Sequence, residues 1–398
     1  MVTDLSLLFW YTPIAYTTLT IAGQLLYRYR KRRLGRRGRV SRIIFQIPTV
    51  GNVETCNTII ETIKSYDLPV PLETWVVIDE KNLKEDMDFK CDRLIVVPSD
   101  FETRCMFKSR SLEYARLLRI RMVEAGLLEK DYLVIQSDDD STPSREFIME
   151  ALEVDADVMI GTITPRPIGH LFPDYERPVA CGMTCLTATN LGIPVWGHGE
   201  GMVVSARADA EVSYEPPTDN VLISSEDMFY LHKTALAEDQ FYIQSASKNG
   251  FKIFASNKKI YITPPLSVGD ALRQRRRWLW GHIRIIRNKM LPLRSIATIT
   301  FAEFSGLSVY AGATTLGVLA PLGLVSVEGI NLVLAYLSLA LWFVFRGYCV
   351  GRVMGIKHGL RAALLSFPTV TMNFVYHVIG LLKGDPKKFE VIKKFVPK

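Results

Sequence analysis

An α/β domain with a mostly parallel central sheet, joined to an α-helical transmembrane domain, is the fold class this sequence predicts. Three observations lead there. The N-terminus opens on a long uncharged stretch, the middle of the chain alternates short β-rich apolar runs with helical periodicity, and apolar helical segments return after Trp280. At 398 residues the chain can hold one α/β domain of ordinary size and still leave a substantial remainder.

The first element is an anchor. No charge occurs from Leu5 to Tyr27 (LSLLFWYTPIAYTTLTIAGQLLY). At about 1.5 Å per residue such a run crosses a hydrocarbon core of about 30 Å. A cleaved signal peptide carries its positive charge ahead of a shorter apolar run, whereas here the charge follows. Arg28, Arg30, Lys31, Arg32, Arg33, Arg36, Arg37, Arg39 and Arg42 come next. The positive-inside bias puts them, and the domain they lead into, in the cytoplasm, with the N-terminus outside. The same cluster can clamp anionic headgroups at about 1 kcal/mol per residue. It alone exceeds the net charge of +7, so the basic balance calls for no nucleic-acid partner.

The middle region predicts strands at Arg42 to Ile47, Thr74 to Asp79, Arg93 to Val97, Tyr132 to Gln136 and Asp157 to Thr162, with helices near Val53 to Ser65, Ser109 to Ala125 and Ser144 to Leu152. That order is the pattern of a nucleotide-binding core. The six cysteines are scattered, with no CxxC pair and no neighbouring histidine at zinc spacing; Cys181 and Cys185 lie four apart without a second pair. They read as thiols in a reducing compartment.

After Trp280 a mixed basic and apolar stretch suggests helices at the membrane surface. Two spans follow, near Phe304 to Val325 and Ile330 to Phe345. A last apolar stretch, Ala362 to Leu382, is interrupted by Pro368, Asn373 and His377. If it crossed, the Lys-rich tail would lie outside, against the charge bias, so a bent or interfacial segment with a cytoplasmic C-terminus is expected. In the tail, Phe389, Ile392 and Phe395 recur three apart, as on a surface-lying helix. The expected organisation is an anchor over 1–40, a cytosolic domain over 41–282, and interfacial and transmembrane helices over 283–398.

Chemistry concentrates at three places. The strand YLVIQ runs into Ser137, Asp138, Asp139 and Asp140, and the carboxyl edge of a parallel strand is where such sheets bind ligands. Two aspartates one residue apart can share a divalent ion with a diphosphate, although an acidic turn capping the next helix has the same spelling. Further on, Glu238 and Asp239 stand before a helical stretch. Gln274, Arg277 and Trp278 then fall at i, i+3 and i+4, on one helix face. They combine an amide, a phosphate-holding guanidinium and an indole on which a sugar can stack, while Arg275 and Arg276 face elsewhere. A basic helix at the membrane surface accounts for the arginines but not for the glutamine and tryptophan.

In this order, IPTVGN, Asp79, the DxD at Asp138 and Asp140, the ED pair and QxxRW, the region from Arg42 to Trp280 resembles family 2 glycosyltransferases of the cellulose-synthase-like kind. It is most similar to their egghead-like β-mannosyltransferase branch. The resemblance implies a GT-A type nucleotide-binding domain. On the donor side it implies that Pro48, Thr49 and Glu54 line the nucleoside pocket, that Asp79 accepts from the base, and that Lys108, Arg110, Asp138 and Asp139 lie near the donor. Asp140 would ligate Mn2+ or Mg2+, Asp239 would act as general base beside Glu238, and Gln274, Arg277 and Trp278 would meet acceptor and diphosphate. Inverting displacement needs one carboxylate for the acceptor proton and a metal for the leaving diphosphate, and two carboxylate positions are present. Glu226 and Asp227 form a rival pair, placed less well relative to QxxRW.

The glycine-spaced stretch VWGHGEG precedes the ED pair as the acceptor-side loop does in this family, so His198 and Glu200 are candidates for acceptor or metal contact, against packing for a lone histidine. Three or four spans are too few to enclose a polymer channel, which favours an open groove and a lipid-linked acceptor such as a polyprenyl (dolichyl) phosphate. The expected activity is transfer of one sugar, with GDP-mannose as donor. The alternatives are a processive polysaccharide synthase using a UDP-sugar and a non-catalytic membrane scaffold that binds nucleotide sugars. The expected protein is multi-pass, with its catalytic domain in the cytoplasm.

Overall fold

The computed structural model describes residues 2–105, 107–167, 174–215, 238–286, 293–323 and 330–384. The rival pair Glu226 and Asp227, and the tail with Phe389, Ile392 and Phe395, lie outside these residues. An N-terminal helix, α1 (Val2–Leu34), leads into β1 (Arg42–Thr49), α2 (Val53–Lys64), β2 (Leu72–Asp79), β3 (Arg93–Val97), α3 (Lys108–Glu124) and β4 (Tyr132–Gln136). A short β5 (Ser141–Pro143), α4 (Arg145–Glu153) and β6 (Val158–Pro165) follow. Then come α5 (Glu176–Ala180), a π-helical segment Cys181–Thr189, β7 (Met202–Ser205) and α6 (Ala206–Glu211). The domain ends with α7 (Glu238–Lys248), β8 (Ile253–Ile262) and α8 (Val268–Ile286).

The strands form one sheet in the order β3-β2-β1-β4-β7-β6-β8-β5. Residues of β1, β2 and β4 are almost all buried, as expected for parallel strands covered on both faces. The expected parallel pairing holds across β3-β2-β1-β4 and again between β6 and β8, but β7 runs antiparallel to both β4 and β6, and β5 antiparallel to β8. The sheet is mixed. The missed strands are short or charged: β7 has four residues, and Lys258 and Lys259 interrupt the apolar run of β8. Under the sheet, fully buried Arg119 holds Asp209 with a bidentate pair at 2.7 and 2.8 Å, and Tyr132 donates to the same carboxylate at 2.8 Å.

The basic run is partly absorbed into this domain. Lys31 pairs with buried Glu150 at 2.7 Å, Arg37 donates to Ala151 O at 2.9 Å, and Arg42 pairs with Glu73 at 2.7 Å. These side chains are tied to protein, a correction to reading the whole cluster as a headgroup clamp.

The C-terminal part comprises α9 (Leu293–Thr314), a π-helical turn Thr315–Leu319, α10 (Ile330–Met354), α11 (Ile356–Leu364) and α12 (Ser366–Leu382). Among the described residues, Tyr336–Met354 within α10 is long and apolar enough to cross a membrane, and α11 with α12 passes as one broken span bent by 66°. Pro368 explains the break. In the first turn of α12 its missing N–H costs nothing, but its ring would clash with the carbonyl four residues back in a continuous helix.

Candidate active site

Parallel strands β1, β2 and β4 lie side by side and deliver Thr49, Asp79 and, just past β4, Asp138 to one edge of the sheet. Because β7 is antiparallel to β4, the loop that enters it, Trp196 to Gly201, arrives at that same edge. Ser137 and Ser141 hydroxyls hold it there by donating to Glu200 O at 3.2 and 2.7 Å. Directly after Asp140, β5 pairs with the end of β8, and Thr263 N donates to Asp140 O at 3.2 Å. The strand order missed in the sequence is therefore what fixes both sides of the aspartate run.

These elements enclose one cavity of about 1270 Å³. Its walls include Pro48, Thr49, Glu54, Asp79, Lys108, Asp138, Asp139, Asp140, His198, Glu200, Glu238, Asp239, Gln274, Arg277 and Trp278, which brings together every residue singled out above except Arg110. Arg110 stands behind the wall, paired with Asp79 and donating to Pro98 O at 2.5 Å. It positions Asp79 without facing the cavity.

Beside the end of β1, Thr49 Oγ1 donates to Asp139 Oδ2 at 2.9 Å and Asn52 Nδ2 donates to the same oxygen at 2.5 Å. One Asp139 oxygen is thus tied to the first turn after β1, while Asp138, Asp139 and Asp140 all line the cavity. These are hard oxygen donors, a set that suits Mn2+ or Mg2+ alongside diphosphate oxygens.

On the other side, Lys108 Nζ pairs with Asp138 and reaches Glu238 Oε1 at 3.0 Å. Burial alone would push this ammonium down, but Asp138, Glu238 and Asp239 outweigh it and hold Lys108 well above the usual lysine range. Burial raises the Glu238 carboxyl, as do Asp239 and Asp138, against the opposing pull of Lys108. Asp239 is oriented by two N–H groups: Gly199 N donates to Oδ2 at 2.8 Å and Gln240 N to Oδ1 at 2.9 Å. Gly197 N donates to Gln240 Oε1 at 2.6 Å. A Cβ on Gly197 would run into the Asp239 carbonyl, and one on Gly199 would lie 2.6 Å from Lys108 Nζ. The glycine spacing of WGHGEG is what lets the loop lie against the ED pair.

The face of α8 departs from expectation. Arg275 does not point away: it lines the cavity, pairs with Asp174 at 2.6 Å and lies 4.7 Å from the Trp278 ring centroid. Arg177 lies over the same ring at 4.5 Å and pairs with Glu200. The indole is therefore packed by two guanidinium groups, and its role is to hold cations that face the cavity more than to offer a bare stacking surface. Arg276 does turn away, donating to Gly384 O at 2.7 Å. Gln274 Oε1 is buried with no hydrogen-bond partner among the described residues, so it has an acceptor to offer a bound molecule. Arg177, Arg275, Gln240 and Gly199 were not found from sequence; only the glycine repeat carried a signal.

The cysteine reading also needs correction. His198 Nε2 lies 3.5 Å from Cys181 Sγ and 3.3 Å from Cys185 Sγ, all three buried. Cys181, Cys185 and His198 are separated by three and twelve residues, the C-x2–4-C-x12-H part of a zinc-ligand spacing, and that was the signal available in the sequence.

Residues 133–354 match the family described as Glycosyl transferase family group 2. Among curated proteins the chain is similar to Beta-1,4-mannosyltransferase egh of Drosophila melanogaster, with 21% identity over 344 residues, 76% of this chain and 67% of that protein. Among solved structures it is similar to the mannosyltransferase PcManGT from Pyrobaculum calidifontis in complex with GDP-Man and Mn2+ (14% identity, 95% of this chain and 100% of that chain, TM-score 0.44). It is also similar to TarS 1-349 of S. aureus in complex with UDP-GlcNAc (13% identity, 85% and 92%, TM-score 0.36).

Proposed function

This chain belongs to glycosyl transferase family group 2 and is a glycosyltransferase, and from that premise we propose that it is an inverting, metal-dependent membrane enzyme that moves mannose from GDP-mannose to a lipid-linked acceptor. The observation that carries the reading is the composition of this cavity. Its lining combines the aspartates after β4, the ED pair and QxxRW with apolar Leu307, Val309 and Trp342 on α9 and α10. A polar donor and an acceptor with an apolar body fit such a cavity.

The nucleoside lies along Pro48, Thr49 and the first turn of α2, with Asp79 accepting from the base. Lys108, Asp138 and Asp139 flank the donor sugar and phosphates. Asp140, with Asp138 beside it, would hold Mn2+ or Mg2+, and the ion would offset charge on the departing diphosphate. Asp239, its carboxylate fixed by Gly199 and Gln240 amides, takes the proton of the acceptor hydroxyl as that oxygen attacks the anomeric carbon. Arg277 meets diphosphate oxygens, and Arg275 and Arg177, stacked on Trp278, add positive charge nearby.

Mannose as the transferred sugar is supported by the likeness to Beta-1,4-mannosyltransferase egh. Membrane embedding is supported by Tyr336–Met354 and by exposed apolar side chains on the helices, among them Leu25 at 62%, Val344 at 63% and Leu364 at 82%. In this arrangement the chain is multi-pass, with its catalytic domain in the cytoplasm. Calorimetric binding of GDP and UDP to detergent-solubilised protein, with and without Mn2+, tests the reading. Manganese-dependent GDP binding is expected; a UDP preference would remove mannose from GDP-mannose, and binding of neither would remove donor binding itself.

A further inference from the structure

We propose that Cys181, Cys185 and His198 form a second metal site, separate from the aspartates, that takes a thiophilic divalent cation, Zn2+ foremost. The three donor atoms lie within 4.8 Å of one another. In a tetrahedral zinc site, Zn–S bonds of about 2.3 Å and Zn–N bonds of about 2.0–2.1 Å put sulfur and nitrogen about 3.6 Å apart. The His198 nitrogen is 3.5 and 3.3 Å from the two sulfurs, so both sulfur–nitrogen sides of the triangle have the length the ion requires.

The local structure explains how the triangle arises. Cys181 and Cys185 come from the π-helical segment Cys181–Thr189, and positions four apart in so wide a helix stack on one side. Such segments are rare and cluster at functional sites. His198 descends from the loop that enters β7. All three residues are at most 5% exposed. A divalent ion with two thiolates and a neutral imidazole sums to zero charge, which removes the cost of burying either thiolate alone.

The ligand types set this site apart from Asp138 and Asp140. Sulfur and imidazole favour zinc over manganese and magnesium, whereas an all-carboxylate set suits manganese and magnesium. Cys181 and His198 also line the large cavity, so the fourth coordination position opens toward it, available to water or to an oxygen of a bound molecule. His198 sits between Gly197 and Gly199, whose amides hold Gln240 and Asp239. A bound ion would therefore pin the loop that orients the ED pair. None of this depends on which sugar, donor or acceptor the enzyme uses.

The test uses the full chain in detergent, from cells grown with both zinc and manganese. Elemental analysis is expected to find about one zinc per chain after a chelator wash that strips manganese. Replacement by Co2+ should produce thiolate-to-cobalt charge-transfer absorption. Cys185→Ser should weaken zinc binding by at least roughly tenfold, and Asp140→Ala should keep both the zinc and the cobalt band. A cooperative thermal-unfolding transition near the parent's reports that each variant is folded. If wild-type protein binds nucleotide yet holds no stoichiometric zinc and shows no cobalt band, the site does not exist. Zinc that persists in Cys181→Ser/Cys185→Ser, or disappears in Asp140→Ala, would put the metal elsewhere and equally overturn the proposal.

Discussion

Lys108 Nζ lies 3.0 Å from Glu238 Oε1 while it also pairs with Asp138, so one ammonium ties the strand end of the aspartate run to the start of the helix that carries the ED pair. The three carboxylates around it keep it charged across the working pH range despite burial. Lys108→Met leaves Asp138 and Glu238 facing each other without a counter-charge. Losing charge-assisted bonds of about 1.5–3 kcal/mol should lower kcat/KM on the order of tenfold to a hundredfold, and the acid limb of the pH–rate profile should move to higher pH. An unmoved limb would mean that Lys108 does not set the charge of the pair.

Glu238 offers a stability test with a defined sign. Its carboxyl is raised above the ordinary value of 4.5 by burial and by Asp239 and Asp138. The folded state therefore binds this proton more tightly than the unfolded chain, and the stability so gained is present below the ordinary value and lost as pH rises through the raised one. Glu238→Gln carries a neutral amide and escapes that loss. Its melting temperature relative to the parent should climb as pH rises from about 4 toward neutrality. A difference that is flat with pH would remove the shift.

Asp140 and Asp239 should separate binding from chemistry. Asp140→Ala is expected to abolish turnover and the metal dependence of nucleotide binding together. Asp239→Asn keeps a side chain of the same shape against the Gly199 amide but cannot take a proton, so turnover should fall by about 10² to 10⁴ while calorimetric nucleotide affinity stays near the parent's. Full activity in Asp239→Asn would move the base to another carboxylate, with Asp227 the first candidate.

Much of this was legible in the chain because parallel strands write themselves plainly. β3 and β4 fall on the residues their apolar runs mark, and the aspartates after β4 follow from the edge at which such sheets bind ligands. What the sequence hid depends on chain reversal. β7 is only four residues long, yet its antiparallel direction brings Glu200 to Asp138. Arg275 was turned outward on helical spacing alone, whereas Asp174 and the Trp278 ring draw it in. Periodicity assigns a face to a residue; ion pairs from other elements decide where a long side chain ends.

Two glycines in the loop before β7 make a paired test of how closely it must approach the ED pair. A Cβ at Gly197 meets the Asp239 carbonyl and Gln240 N, backbone atoms that cannot shift without moving the start of α7. Gly197→Ala should therefore cost stability, about 1–3 kcal/mol by the usual measure of overpacking, read as a lowered unfolding midpoint. A Cβ at Gly199 instead meets Lys108 Nζ, the free end of a flexible side chain, at 2.6 Å. Lys108 can swing aside at little cost to the fold, but in doing so it leaves Asp138 and Glu238. Gly199→Ala should accordingly hold its unfolding midpoint near the parent's and lose activity as Lys108→Met does, with the same displacement of the acid limb. Equal loss of stability in the two variants would show that the loop, and not the lysine, responds to both, and would detach Gly199 from the charge balance of the site.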